Sequence, residues 1–409
     1  MFYQIFEENA VAYVTQSPVY DAIFKGVIDL KAKDLAVGNI NLIFRVSSES
    51  DPKKSIILKQ ALTYAKKYPD FKMPQERAKL EAEMLGIENK YCPGLAPQLY
   101  YYDPEMFINL MEDANQHLIM RDGLMQHIYY PKFANQIGVF LARTLFYTSD
   151  FYLPSIEKKA MVARFINSIM CKATEDVIFT QPWMEHPNNH WTQPYLDEIA
   201  KELHQDNALR VEALTMKEAF MTHAEALIHG DLHTGSIMIN PDDMKVIDPE
   251  FGYFGPIGFD IGAVVGNLVL NYASQEYHAK DEKLRKEYRQ WLLDLIKSVW
   301  NEFEKEFRLL WDTKRLKGEW ESKAFLDQYL KHLIQDTAGF GACKITRRIF
   351  GLAHVPDMWQ IPNDYERAIC ESIAFNVAQQ WLLQRKTIKS PDDLVSLIQE
   401  YAKPHASLI

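Results

Sequence analysis

The stretch IHGDLHTGSIMINPDDMKVIDPE, residues 228–250, sets polar side chains against short apolar runs. Ile237 to Asn240 and Lys245 to Ile247 predict a small hairpin closed by the turn Pro241-Asp242-Asp243. Around it stand His229, Asp231, His233, Asp248 and Glu250. Carboxylates between apolar strands lose hydration and need cations or hydrogen bonds in return, so Asp231, Asp248 and Glu250 together point to a bound divalent ion. The plainer alternative is that they cap turns and pair with surface lysines and arginines.

On either side of the hairpin the pattern is helical. Phe133 to Tyr147, Glu157 to Met170, Gln193 to His204 and Val211 to His223 precede it, and charged amphipathic stretches follow at Asp281 to Arg308, Lys323 to Phe350 and Tyr365 to Gln384. Ile261 to Leu270 is the longest apolar run. It is far short of the roughly 20 residues that span a bilayer, and it predicts a buried helix. Before Pro131 the character changes. Asn39 to Val46 and Ser55 to Gln60 predict a hairpin, Pro74 to about Asn89 a helix opened by its proline, and Gln98 to Tyr102 and Met106 to Met111 two more strands. The expected class is α+β in two lobes. Residues 1–113 form a small antiparallel-sheet lobe with one long helix, and residues 114–409 a larger, mostly helical lobe.

With 409 residues, 47% hydrophobic and 24% charged, the composition is that of a globular chain of this size. Lys plus Arg number 45 against 55 Asp plus Glu, a net charge of −10, which argues against nucleic acid as a main partner. Cys92, Cys171, Cys343 and Cys370 show no CxxC spacing and suit free thiols in a reducing compartment. Met1 to Tyr13 carries Glu7 and Glu8 and no basic segment before an apolar run, so no signal peptide is expected.

Further candidates lie in each lobe. Lys59 sits mid-strand in IILKQA, where a lone buried ammonium is costly. On a helical wheel Glu81 falls within the apolar arc of Ala78, Leu80, Met84, Leu85 and Ile87, whereas Glu76 and Glu83 fall outside it. A Lys59–Glu81 pair satisfies both. A strand lysine held by a helix glutamate is how protein-kinase-like folds set a lysine on nucleotide phosphates; a purely structural ion pair is the alternative. The loop Val37-Gly38-Asn39-Ile40-Asn41 has one glycine where phosphate-covering loops often have three. Asn39 and Asn41 alternate with apolar neighbours, toward a ligand or toward solvent. Met111-Glu112-Asp113, at the end of the small lobe, either offers backbone groups to an adenine ring or forms an ordinary turn. Arg347 and Arg348 interrupt apolar sequence. Neighbours on a helix diverge by about 100°, so both reach one oxygen-rich ligand only near a helix end or across a cleft; otherwise one is exposed and the other ion-paired.

Together VGNINLIFRV, IILKQA, RAKLEAEML, MED, LFYTSDF, LIHGDLHTGS, KVIDPEFGYFGPIGFDIG and RRIFGLAHV resemble the methylthioribose kinases. These are a branch of the superfamily of aminoglycoside phosphotransferases, choline kinases and, more distantly, protein kinases. HGDLHTGS, DPEF and the paired arginines are the most specific parts. The resemblance implies a bilobal protein-kinase-like fold that transfers the γ-phosphoryl group of ATP to the anomeric hydroxyl of 5-methylthioribose, giving 5-methylthioribose 1-phosphate in methionine salvage. It implies that Asp231 orients and deprotonates that hydroxyl and that Asp248 and Glu250 hold Mg²⁺. Glu250 then compensates for the Asn that the wider superfamily has where Ser236 stands. By the same resemblance Lys59, paired with Glu81, contacts phosphate, and Gly38, Asn39 and Asn41 underlie the nucleotide. Met111, Glu112 and Asp113 meet adenine, and Arg347 and Arg348 bind sugar hydroxyls. A homodimer is implied, and the composition suits the cytoplasm, away from membrane and nucleic acid.

The family carries a Trp in the loop after the lysine strand, where Tyr64 to Pro74 offers the aromatics Tyr64, Tyr68 and Phe71. Three rivals remain. A sibling kinase for another sugar, an aminoglycoside or choline would line an amine site with carboxylates rather than arginines. A metal-dependent hydrolase using His229, Asp231, His233 and Asp248 leaves Lys59 and Glu81 unexplained. A non-catalytic nucleotide-binding module sits badly with Lys59, Asp231 and Asp248 all being present.

Overall fold

A computed structural model describes residues 2–36 and 40–408. The chain forms two compact units, Met1–His117 with Lys245–Gly252, and Leu118–Met244 with Tyr253–Ile409.

The first unit is built on an antiparallel sheet in the order Leu30–Asp34, Leu42–Ser48, Ser55–Gln60, Ile108–Glu112, Leu99–Asp103. Alternation puts Leu42, Phe44 and Val46 on the buried face of their strand and leaves Ile43, Arg45 and Ser47 half-buried. With Ile56, Leu58, Ile108 and Leu110 they form a core that also takes in Ile5, Ala10 and Val14 from the N-terminal segment. The strand Leu30–Asp34 was not expected. Its sequence LKAKD lacks an apolar run because it is the sheet edge, where exposed Lys31 and Lys33 discourage further pairing.

The long helix of this unit runs Arg77–Tyr91 rather than from Pro74, whose carbonyl accepts from the side chain of Arg77 at 2.7 Å. Its inward face carries the charged residues Arg77, Glu81 and Glu88 among Ala78, Ala82, Met84 and Leu85. The returning segment 245–252 is fastened by Val246 N–H donating to the Leu95 carbonyl at 2.8 Å and by Lys245 pairing with Glu112 at 3.0 Å. Gly252 passes so near the helix that a Cβ there would lie 2.8 Å from Met84 Cγ.

The second unit is mostly helical. Phe133–Tyr147 and Lys323–Phe350 match their sequence patterns residue for residue. Glu157 to Met170 divides into Ser155–Arg164 and Ser168–Phe179, since Asn167 adopts a left-handed φ of 44° between them. The third expected helix shrinks to Asp197–Gln205. The fourth starts earlier, at Asn207, where the Asp206 carboxylate accepts the Ala208 and Leu209 N–H groups. Ile257–His278 is long and apolar enough to cross a membrane, yet 94% of its most apolar window is buried within the protein, where it serves as core. Glycines set its distance from Lys323–Phe350: a Cβ on Gly262 would sit 2.7 Å from Gly341 N and from Thr337 O. Gly262→Ala must therefore spread this crossing. It should cost about 1–3 kcal/mol, read as a lower midpoint in urea unfolding at unchanged slope.

Candidate active site

In the first unit, charge gathers on Lys59. It is buried opposite Asn109 in the neighbouring strand, and its Nζ donates to Glu81 Oε1 at 2.6 Å and to Asp248 Oδ1 at 2.7 Å. Asn109 Nδ2 donates to the other Glu81 oxygen at 3.2 Å. Burial alone would lower the lysine's pKa, but Asp248, Glu81 and Glu250 outweigh it and hold the ammonium above its usual range. Asp248 has a left-handed backbone, φ 64° and ψ 47°, a conformation aspartate tolerates better than most residues.

Beside this cluster lies a second one that sequence alone did not reveal. Glu250 Oε2 accepts from Arg77 Nε at 3.1 Å and from Asn41 Nδ2 at 2.9 Å, while Arg77 Nη2 donates to Asn41 Oδ1 at 2.7 Å. Arg77 is fully buried and spends its remaining donor on the Leu62 and Pro74 carbonyls. Asn41 is thus turned away from solvent into this triangle. A usable signal existed: Arg77 precedes Glu81 by four residues and shares its helix face.

Gly38 and Asn39 lie outside the described residues, as do the side chains of Tyr68 and Phe71. Tyr64 packs against the sheet core. Met111 and Glu112 end a strand, with the Glu112 N–H donating to the Gln98 carbonyl at 2.9 Å. Asp113 forks with Arg45, at 2.6 Å to Nε and 3.0 Å to Nη2. Among the described residues no three His, Cys, Asp or Glu side chains gather as a metal site. Magnesium asks for less. It is commonly held by one or two carboxylates plus phosphates and water, a demand the hard oxygen donors of Asp248 and Glu250 fit.

In the second unit, the strand Ala226–Ile228 leads into the loop that carries Asp231. The loop is fixed from below by Asp260, whose carboxylate accepts the His229 N–H at 2.6 Å and the Gly230 N–H at 3.1 Å. Ser236 Oγ donates to the Asp231 carbonyl at 3.0 Å. The Asp231 carboxylate is held on both oxygens, by Lys344 Nζ at 3.1 Å from Oδ1 and by His233 Nε2 at 3.4 Å from Oδ2. His233 Nδ1 accepts the Gly235 N–H at 2.9 Å, so in the neutral ring the proton sits on Nε2, facing Asp231. Burial pushes the His233 pKa down to about 3, which keeps that ring neutral. Burial would raise the Asp231 pKa, but His233, Lys344 and Arg348 reverse this and hold it well below the usual carboxylate range.

Arg347 and Arg348 fall in the last turn of Lys323–Phe350, the helix-end position that lets neighbouring side chains serve one region. Both are buried; Arg348 Nη1 donates to the Ala353 carbonyl at 2.6 Å and Arg347 Nη1 to the Leu352 carbonyl at 3.1 Å. Lys344 and Asp260 were missed in the sequence. Lys344 stands three and four residues before the arginines, on their helix face, which was the available signal. Arg121 was missed as well; its Nε pairs with Asp357 at 3.0 Å and its Nη2 donates to Asn267 Oδ1 at 3.2 Å.

Residues 164–304, which include Asp231, Asp248 and Asp260, match the model of the phosphotransferase enzyme family. A choline kinase structure from Cryptosporidium parvum aligns over 95% of this chain and 94% of its own, at 13% identity and a TM-score of 0.47. Methylthioribose kinase 1 of Oryza sativa subsp. japonica is 38% identical over 97% of this chain and 95% of its own length. The chain belongs to the methylthioribose kinase family. A methylthioribose kinase of Escherichia coli is 39% identical over 89% of this chain and 90% of its own. The fold is the protein-kinase-like one of the phosphotransferase family, an antiparallel sheet at the N-terminal end followed by mostly helical structure.

Removing Arg77 leaves Glu250 buried without its cation. Arg77→Met should cost roughly 3–5 kcal/mol of unfolding free energy, measured by urea titration. Loss below about 1 kcal/mol would show that the triangle contributes little.

Proposed function

We propose that this chain transfers the γ-phosphoryl group of ATP to the anomeric (C1) hydroxyl of 5-methylthioribose, giving 5-methylthioribose 1-phosphate in methionine salvage. Its support is kinship with methylthioribose kinases over nearly the whole chain, joined to one observation, a half-buried Asp231 carboxylate kept ionised by fixed partners. Asp231 orients the acceptor hydroxyl and takes its proton as the new P–O bond forms and the bond from the γ-phosphorus to ADP breaks. Phosphoryl transfer is loose and charge-rich, so alignment and cationic groups supply most of the acceleration.

In this reading residues 1–113 serve the nucleotide, and residues 114–409 carry the catalytic loop, the metal carboxylates and the acceptor pocket. Lys59, positioned by Glu81, contacts phosphate. Gly38 and Asn39 cover the nucleotide, with Asn41 tied to Glu250 beneath, and Met111, Glu112 and Asp113 meet adenine through their main chain. Asp248 and Glu250 would hold Mg²⁺, which when bound neutralises phosphate charge. Arg347 and Arg348 bind the sugar hydroxyls. Lys344, Arg347 and Arg348 make the surroundings of Asp231 cationic, which disfavours choline or an aminoglycoside as acceptor. The net charge of −10 and the free cysteines fit a cytoplasmic enzyme, a homodimer by family resemblance, that works without nucleic acid or membrane.

The test is ADP release from Mg-ATP with 5-methylthioribose, ribose, choline, homoserine and kanamycin, each with and without EDTA. Turnover is expected with 5-methylthioribose alone and is lost with EDTA; turnover on another acceptor would retain the kinase and discard this substrate. Asp231→Ala should lower kcat by roughly 10²–10⁴-fold while ATP affinity stays within a few fold. Arg347→Ala or Arg348→Ala should raise KM for the sugar about tenfold, equivalent to about 1.4 kcal/mol, with KM for ATP little changed. Equal effects on both substrates would assign the arginines to structure.

A further inference from the structure

We propose that Lys344 is a positioning residue for the catalytic carboxylate: with His233 it clamps both oxygens of Asp231, so that the base meets the acceptor hydroxyl ionised and in one orientation. The inference rests on the reading of Asp231 as proton acceptor.

Lys344 is buried, 2% exposed, and its Nζ lies 3.1 Å from Asp231 Oδ1. The ring of Phe259 lies beneath the ammonium, 4.3 Å from Nζ, and the next residue, Asp260, holds the amides at the start of the Asp231 loop. The helix Ile257–His278 therefore supports both the loop and the lysine. The register of Lys344 is fixed by the close crossing three residues earlier, where Gly341 meets Gly262 and Gly266. Arg347 and Arg348 follow one turn later, so a single helix face supplies a clamp for the base and then a pair of cations.

A third cation beside two arginines is unfavourable unless something returns the energy. Burial, then Arg347 and Arg348, push the Lys344 pKa down to about 8, and the pull of Asp231 keeps it from falling further. A purely structural pair at this place would be replaceable by apolar side chains at no loss of stability. A pair that sets the charge and angle of a base would not. The charged and titratable groups around this pair are His229 and His233 from the loop, Arg347 and Arg348 from the lysine's own helix, Arg121, and Asp260 from Ile257–His278.

The experiment compares the full-length wild type with Lys344→Met, Asp231→Asn and the double variant, with 5-methylthioribose and Mg-ATP. Lys344→Met is expected to lose at least thirtyfold in kcat, with KM for ATP within threefold and an unchanged circular dichroism spectrum. Asp231 is a carboxyl whose pKa Lys344 depresses, so removing the lysine raises it and activity fails at higher pH on the acid side. The ratio of rates at pH 5.5 and pH 8 should drop at least fivefold relative to wild type. In the Asp231→Asn background the same change should cost less than threefold, since Lys344 then has no carboxylate to hold. Retention of kcat within threefold, an unmoved acid limb, or an equal loss in both backgrounds would overturn the proposal. Should Lys344→Met fail to fold, Lys344→Gln carries the same comparisons. If the wild type does not turn over 5-methylthioribose, the functional reading fails by itself. The clamp is then judged from the Asp231 carboxyl titration in ¹³C-aspartate-labelled protein, assigned with Asp231→Asn: an upward move in Lys344→Met supports it and an unmoved titration overturns it.

Discussion

Burying an ammonium between strands is unfavourable by several kcal/mol unless anions meet it, and the first unit is organised around that requirement at Lys59. Glu81 and Asp248 meet the charge from different parts of the chain, the helix Arg77–Tyr91 and the returning segment 245–252. The sheet register that sets Lys59 against Asn109, the inward charged face of the helix and the Gly252 contact with Met84 all follow from the need to bring these oxygens to one nitrogen. The partners are not equivalent. The Glu81 side chain is 3% exposed and that of Asp248 38%, so solvent and ions compete for Asp248 and not for Glu81. One contact fixes the lysine and the other is exchangeable.

The second unit solves the inverse problem, a half-buried carboxylate that must stay ionised. Asp231 is surrounded by cations and by a neutral imidazole whose donor face is set by a backbone amide. Such an arrangement needs rigid surroundings, because hydrogen bonds weaken steeply as their angle departs from linear. The tight helix crossing at Gly262 and Gly341 and the Asp260 grip on the loop amides supply that rigidity. Packing and chemistry are therefore one constraint here: the glycines that let two helices touch are also what bring Lys344 within reach.

Much of this was legible in the residues. Apolar runs at Asn39 to Val46 and Ser55 to Gln60 pointed to strands, found at Leu42–Ser48 and Ser55–Gln60, and the misfit of one glutamate in an apolar arc exposed the Lys59–Glu81 pair. Failures occurred where local pattern carries no information. Leu30–Asp34 is a strand because of its neighbour and not its own polarity, and the break at Asn167 depends on a single backbone angle. Arg77 and Lys344 went unread because a long cation inside a helix has the same sequence appearance whether it reaches solvent or a buried anion. Only the tertiary partner, Glu250 in one case and Asp231 in the other, distinguishes the two.

The two clusters carry opposite balances of charge. Around Lys59 three anions outnumber two cations, with Glu81, Asp248 and Glu250 against Lys59 and Arg77, a balance that suits metal ions and resists an unaccompanied polyanion. Around Asp231 cations still outnumber anions, with Lys344, Arg347 and Arg348 against Asp231 and Asp260, a balance that suits a neutral, oxygen-rich group better than a cationic one. A sugar hydroxyl carries no charge to repel those cations, whereas an ammonium-bearing acceptor would have to displace or neutralise them. The sign of the local field therefore disfavours a cationic group beside Asp231.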